Sequence, residues 1–278
     1  SVDGSDIPED IAEKFAQHFS KSSGVGLAIN NNNVTYKSNV NEDYVSGEWF
    51  FSFDEVFKAV ISLQKGKSAG IDEIFPEHLI YAHESVVVHL QNLFNMMLIH
   101  GVVPNNFGKG IVVPIIKDRH GDSSSIENYR GITLSTMFSK VFEICLNDKL
   151  CQFFGTNDLQ FGFKKMHGCH HAIYVVQHVI DYFRKRGSQV YVATLDASKA
   201  FDRVDHRRLF DKLRDRGVPA CFIDVLVEWY GKLSAIVRWH NCFSSSFDIK
   251  AGVRQGGVLS PIFFNVYMDD LISQLSVC

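Results

Sequence analysis

The chain has 278 residues, 46% hydrophobic and 13% aromatic with 23 Phe, enough to bury the core of one large domain or two small ones. A net charge of -3 argues against nucleic-acid binding through overall basicity, and no apolar run reaches the roughly 18 residues that cross a bilayer. Ser1-Val2-Asp3 lacks the basic-then-apolar order of a secretory leader, and six scattered Cys with no Cys-x-x-Cys read as reduced thiols. The expectation is a soluble intracellular protein with no membrane partner.

Ile7, Ile11, Phe15 and Phe19 fall at helical spacing, and Asn30 to Asn33 then open a polar stretch running to Gly47. Residues 1–47 read as a linker with one docking helix. A helix is expected from Phe53 to Gly66, and a second opens at Pro76 and runs its stripe Leu79, Leu90, Leu93, Phe94, Met97 and Leu98 to a stop at Gly101. Gly110 to Lys117 is a β-branched strand, with a return strand after Asn128-Tyr129-Arg130-Gly131. Helices follow over Thr136 to Phe154 and Cys169 to Arg186. Val190 to Leu195 reads as a strand buried on both faces. Next come helices over Val204 to Arg216, opened by Asp205, and over Pro219 to Trp229. Strands at Ser234 to Trp239 and Phe247 to Lys250 and a helix after Gly256-Gly257 complete the chain.

Asp196 ends the Val190 run, where α/β sheets place ligands, although a strand-end Asp also caps helices and forms turns. Bases concentrate at Arg184-Lys185-Arg186 and from Lys199 to Arg216, but Asp202, Asp205, Asp211 and Asp215 interleave with them, so the charge run decides nothing alone. The cluster His167, Cys169, His170 and His171 lacks the paired spacing of a zinc site.

The block Leu195-Asp196-Ala197-Ser198-Lys199-Ala200-Phe201-Asp202-Arg203-Val204-Asp205-His206 resembles the first palm motif of reverse transcriptases, in the form carried by non-LTR (LINE-like) retrotransposons. Gly252-Val253-Arg254-Gln255-Gly256-Gly257-Val258-Leu259-Ser260-Pro261 resembles the next motif, in the right order and at the right distance. Lys67-Ser68-Ala69-Gly70-Ile71-Asp72, Val113-Pro114-Ile115-Ile116-Lys117, Asn128-Tyr129-Arg130-Gly131 and Gln160-Phe161-Gly162-Phe163 look like fingers segments, so the resemblance spans Phe53 to Cys278.

The resemblance implies an α+β right-hand polymerase fold, helix-rich with a short antiparallel palm sheet: fingers over 48–187 and a partial palm over 188–278. It implies an RNA-directed DNA polymerase, acting in nucleus and cytoplasm on an RNA template, a DNA primer and dNTPs. Two Mg2+ ions serve the complete enzyme, with Mn2+ as a substitute, and an endonuclease domain often lies upstream in relatives. Asp196 is then the catalytic carboxylate and, with the Ala197 carbonyl, a metal ligand. Lys117 and Arg130 grip the triphosphate, Phe201 lies under the sugar and blocks a 2′ hydroxyl, and Gln255 and Gly256 flank the nascent base pair. Each has a plainer alternative: hairpin charge for Lys117 and Arg130, core packing for Phe201, a simple turn for Gly256. The chain departs from the family at Gly131, where Pro is usual.

Tyr267-Met268-Asp269-Asp270 has the letters of a second catalytic carboxylate site, yet it follows Ser260-Pro261 on what reads as one continuous helix. Helix surface is expected there, with the true hairpin and the thumb beyond Cys278 and this chain alone inactive. Competing readings are a non-enzymatic nucleic-acid-binding relic of a mobile element and a group II intron maturase-like polymerase, which fits Asp202-Arg203-Val204-Asp205-His206 less well.

Overall fold

A computed structural model describes residues 1–23 and 47–275; the polar stretch at Asn30 to Asn33 and Cys278 lie outside the described residues. The helix expected near the N-terminus is α1 (Pro8–Ser23), with Glu9 and Asp10 in its first turn. Ser52 starts α2 (Phe53–Ile61) with a capping box: its hydroxyl accepts from Glu55 N, and Glu55 accepts from Ser52 N at 2.7 Å. The single helix expected from Pro76 is two, α3 (Pro76–Ile80) and α4 (Ser85–His100). The break falls where His83 Nδ1 accepts from Ser85 N at 3.2 Å, a capping role that helical spacing does not reveal. Gly101 ends α4 in the left-handed conformation at φ 59°, where a Cβ is penalised.

Next come β1 (Lys109–Ile116), β2 (Tyr129–Ser135), and α5 (Met137–Leu150), whose N-cap Thr136 accepts from Ser139 N. Then follow α6 (Cys169–Lys185), α7 (His206–Asp215) and α8 (Ala220–Gly231). The chain continues through β3 (Ser234–Trp239), β4 (Cys242–Phe243), β5 (Phe247–Asp248) and α9 (Ser260–Leu275). Phe94 and Phe142 rings lie 4.9 Å apart and Phe142 and Trp229 rings 5.7 Å apart, so α4, α5 and α8 share one aromatic core. Full burial of each such side chain is worth about 1.5–3 kcal/mol. No helix among the described residues is long and apolar enough to cross a membrane, and the five described Cys are free thiols.

The sheet is mixed, with strands in the order β2-β1-β3-β4 and β5 also on β3. β1 pairs antiparallel with β2 but parallel with β3, Lys109 opposite Ser234 and Val112 opposite Val237. The short antiparallel sheet expected is there in the pairs β3/β4 and β3/β5, but β4 was not foreseen, and the parallel joint to β1 makes the sheet mixed rather than antiparallel. α1 covers one face: Ile11, Phe15 and Ala16 pack on Val112, Tyr129, Ala235 and Val237, with the Phe15 ring 5.0 Å from Tyr129 and 5.2 Å from Trp239.

One expected element does not form. Val190 to Leu195 is not a strand, and from Tyr191 on its residues are exposed, Tyr191 by 88% and Leu195 by 90%. A doubly buried strand needs ladder partners and a cover on each face, and no described strand pairs with this run. α6 has the expected bounds but no buried residue; Ile173, Tyr174, Val179 and Tyr182 are each about half exposed or more. His171, from the His-Cys cluster, accepts from Gly168 N at 3.1 Å and so caps this helix.

Candidate nucleotide site

Two segments far apart in sequence are joined by main-chain bonds. Residues 199–204 form a tight turn: Asp202 N donates to Lys199 O, Lys199 takes φ 52°, and a 3-10 turn covers Phe201–Arg203. Against it, Gly252 N donates to Val204 O at 2.8 Å and Val253 N to Phe201 O at 2.9 Å. Gly252 lies so close that a Cβ would stand 2.8 Å from Asp202 Cα. Asp202 accepts from Gln255 Nε2 at 3.2 Å, and Asp205 caps α7 by accepting from Arg208 N, the helix opening expected of it.

The next residues reach the other hairpin. Thr133 N donates to Gln255 O at 2.7 Å, and Gly256, at φ 115°, approaches until a Cβ would be 2.8 Å from Thr133 O. Only glycine meets both demands. Between these parts lies a cavity of about 60 Å3 lined by Phe19, Val112, Gly131, Thr133, Asp202 and Gln255. Val112, with Phe19 beside it, explains the departure at Gly131: a Cβ there would meet Val112 Cγ1 at 2.7 Å and the Phe19 ring at 3.2 Å. Helix α1 is also tied to the turn, Lys199 Nζ donating to Ser22 Oγ at 3.0 Å.

The structure brings Gln255, Gly256 and the Phe201 turn together. The Phe201 ring, half-buried, lies 4.9 Å from Phe264 and 5.6 Å from Phe163. Lys117 and Arg130 stand on the β1–β2 hairpin; Lys117 Nζ donates to Glu127 O at 2.8 Å, and Arg130 is exposed opposite Ile115. Asp196 and Ala197 are exposed on the irregular run after α6, and among the described residues no hydrogen bond or ion pair links either to the rest of the site. No described group of three His, Cys, Asp or Glu is poised to hold a metal. Asp196 is an accessible oxygen donor of the kind Mg2+ takes, and one carboxylate is part of such a site.

Asp269 and Asp270 lie on α9, as the spacing implied. Asp269 pairs with Arg216 at 2.6 Å and accepts from Asn157 N at 2.7 Å; Asp270 pairs with Lys212 at 2.7 Å. The two carboxylates are thus engaged with α7 and the loop after α5.

Three buried polar groups went unread in the sequence. His206 Nε2 sits 2.7 Å from Gly252 O, and burial holds its imidazole below the usual histidine range. Glu143, buried on α5, accepts from Val258 N at 2.5 Å; burial raises its carboxyl, while that amide and the nearby Arg254 charge pull it down. Arg254 donates to Phe107 O, Gly108 O and Ser135 Oγ. A signal existed for Glu143, which shares the helical stripe Ser139, Leu146 and Leu150.

A reverse transcriptase (RNA-dependent DNA polymerase) family model matches residues 116–278. The chain is 29% identical over 78% of its length to a probable RNA-directed DNA polymerase from transposon BS of Drosophila melanogaster, covering 24% of that protein. It is 28% identical over 75% of its length to the Pol polyprotein of the type-2 retrotransposable element R2DM of the same species, covering 19% of it. The polymerase from mobile element jockey of Drosophila funebris is 27% identical over 81% of the chain, with 25% of its own length covered. The chain therefore spans about a quarter or less of these curated relatives. With 163 residues inside the family match, and relatives named as the polymerases or Pol polyprotein of a transposon, a retrotransposable element and a mobile element, the chain belongs to the reverse transcriptase family.

Proposed function

We propose that the chain is the fingers, over 48–187, and the first part of the palm, over 188–278, of an RNA-directed DNA polymerase that extends a DNA primer on an RNA template for a non-LTR retrotransposon. The observation that carries this reading is the main-chain pairing of the Phe201–Val204 turn with Gly252-Val253, which sets the loop Gln255-Gly256 beside the turn that follows Asp196. Asp196 and the Ala197 carbonyl would hold the metal. When bound, Mg2+, or Mn2+ in its place, neutralises phosphate charge and favours attack by the primer 3′ hydroxyl. Lys117 and Arg130 neutralise and orient the triphosphate, an ammonium and a guanidinium fork suiting its oxygens. The Phe201 ring, backed by Phe264 and Phe163, is a rigid apolar wall for the sugar. Gln255 and Gly256 support the new base pair.

The exposed run Val190 to Leu195 and α6 favour a second statement: this chain alone binds nucleic acid without catalysing, and further strands complete the palm. The test is primer extension on RNA with Mg2+, using the reading frame as far as it extends. Asp196→Asn abolishes extension, and Asp269→Asn spares it. Extension that survives Asp196→Asn would sink the assignment.

A further inference from the structure

The loop Gln255–Val258 is held from both ends by two buried ionisable side chains that the assigned roles leave unused. On its N-terminal side the Arg254 guanidinium, 7% exposed, donates to the carbonyls of Phe107 and Gly108 at the entry to β1 and to Ser135 Oγ at the end of β2. On its C-terminal side Glu143, also 7% exposed, takes the Val258 amide at 2.5 Å. Gly257 between them is closed in, since a Cβ there would stand 2.6 Å from Ser260 Oγ and 3.3 Å from Glu143 Oε1. Burial works against the Arg254 charge, and Glu143 offsets part of that.

Such a pair is an expensive way to build a core. Burying two charged groups costs several kcal/mol each before any return, and an apolar pair of the same volume is often as stable. Arg254 Nε is moreover buried with no partner, a further cost. What the charges do that apolar groups cannot is hold two specific main-chain points, Val258 N and the Phe107-Gly108 carbonyls, and so define the path of the residues between. On that path Gln255 O meets Thr133 N, and the Gln255 amide meets Asp202.

We propose that Glu143 and Arg254 are positioning residues that keep the Gln255–Val258 loop in its nucleotide-binding shape, an inference that rests on the nucleotide-site reading above. Neither touches the nucleotide. Their effect is through the fraction of molecules whose loop is competent, and the apparent dissociation constant rises as that fraction falls.

The test is binding of dGTP with Mg2+ to the protein made from the reading frame as far as it extends, holding an RNA template annealed to a 3′-dideoxy-terminated DNA primer, followed by fluorescence of a 2-aminopurine at the primer end. Glu143→Ala, which frees the loop, weakens binding about tenfold, as a fall of the competent fraction to about a tenth requires. Glu143→Gln keeps an acceptor for Val258 N and recovers most of the loss. Val141→Ala, an apolar truncation on the same helix at a site 0% exposed, lowers the melting temperature but leaves the dissociation constant unchanged. Equal nucleotide binding by wild type and Glu143→Ala overturns the proposal. If Glu143→Ala does not fold, Arg254→Lys decides: it loses the forked donation, and unchanged binding overturns the proposal as well. Absence of nucleotide binding by the wild type instead removes the nucleotide-site reading and this inference with it.

Discussion

Asp269 can be tested as a structural residue against its look of a catalytic one. Its carboxylate receives Arg216 Nη2 at 2.6 Å and Asn157 N at 2.7 Å, and the two side chains of the ion pair are only 16% and 20% exposed. Asp269→Ala removes two charge-assisted bonds of about 1.5–3 kcal/mol each. Part returns, because Arg216 still donates to Gly155 O and some water reaches the site. A net loss of about 2–3 kcal/mol follows. At about 2–4 °C per kcal/mol for a chain of this size, the melting temperature falls by roughly 5–10 °C. Asp270→Ala is the comparison: its carboxylate is 62% exposed, and its pair with Lys212 is worth under about 1 kcal/mol. Circular dichroism melts and Mn2+ binding by electron paramagnetic resonance, run on both variants, read the two quantities. A metal-site carboxylate behaves oppositely, since removing it relieves repulsion between acids and costs ion binding. An unchanged or raised melting temperature with lost Mn2+ binding would refute the structural role.

Gly256→Ala places a Cβ 2.8 Å from Thr133 O at φ 115°, so about 2–4 kcal/mol is lost and Thr133 N exchanges faster with deuterium; wild-type exchange would contradict the geometry. His206 is held below the ordinary histidine range by burial, so the unfolded state takes up the proton first. Its contribution is present above about pH 6.5 and lost as the pH falls toward its folded value. Urea titrations at pH 7.5 and 5.5 should show a smaller acid loss in His206→Gln, whose amide can still bond Gly252 O; equal slopes would exclude His206 as the source. The exposed faces of α6 and Val190 to Leu195 should make the chain self-associate at micromolar concentration, and Tyr191→Lys with Leu195→Lys should lessen it by light scattering. A monomeric wild type would contradict this.

What was legible in the sequence was whatever a few neighbouring residues decide. Thr136 and Asp205 cap helices because their side chains reach an amide three residues on, and Gly101 stops α4 by its own conformation. The helical placement of Asp269 followed from its distance to Ser260. Val190 to Leu195 shows the limit: its composition states a need for strand partners, and composition cannot provide them. The parallel pairing of β1 with β3 and the seating of Phe19 on Gly131 depend on contacts with no local trace. Glu143 and Arg254 are legible only together, since each alone is a polar misfit in an apolar setting.

The parallel joint between β1 and β3 also bears on how the chain comes to be folded during synthesis. Lys109 must wait for Ser234 before the sheet has its middle pair, and α1 cannot finish its seat until Ala235 and Val237 arrive. Closing so long a loop is costly in entropy and slow. A nascent chain that has emerged only through α6 therefore carries β1 with one edge open and α1 half seated. In that interval the β1 edge that later takes β3 is unpaired, the kind of edge on which another chain can pair, so shielding it is expected to raise the yield of folded protein.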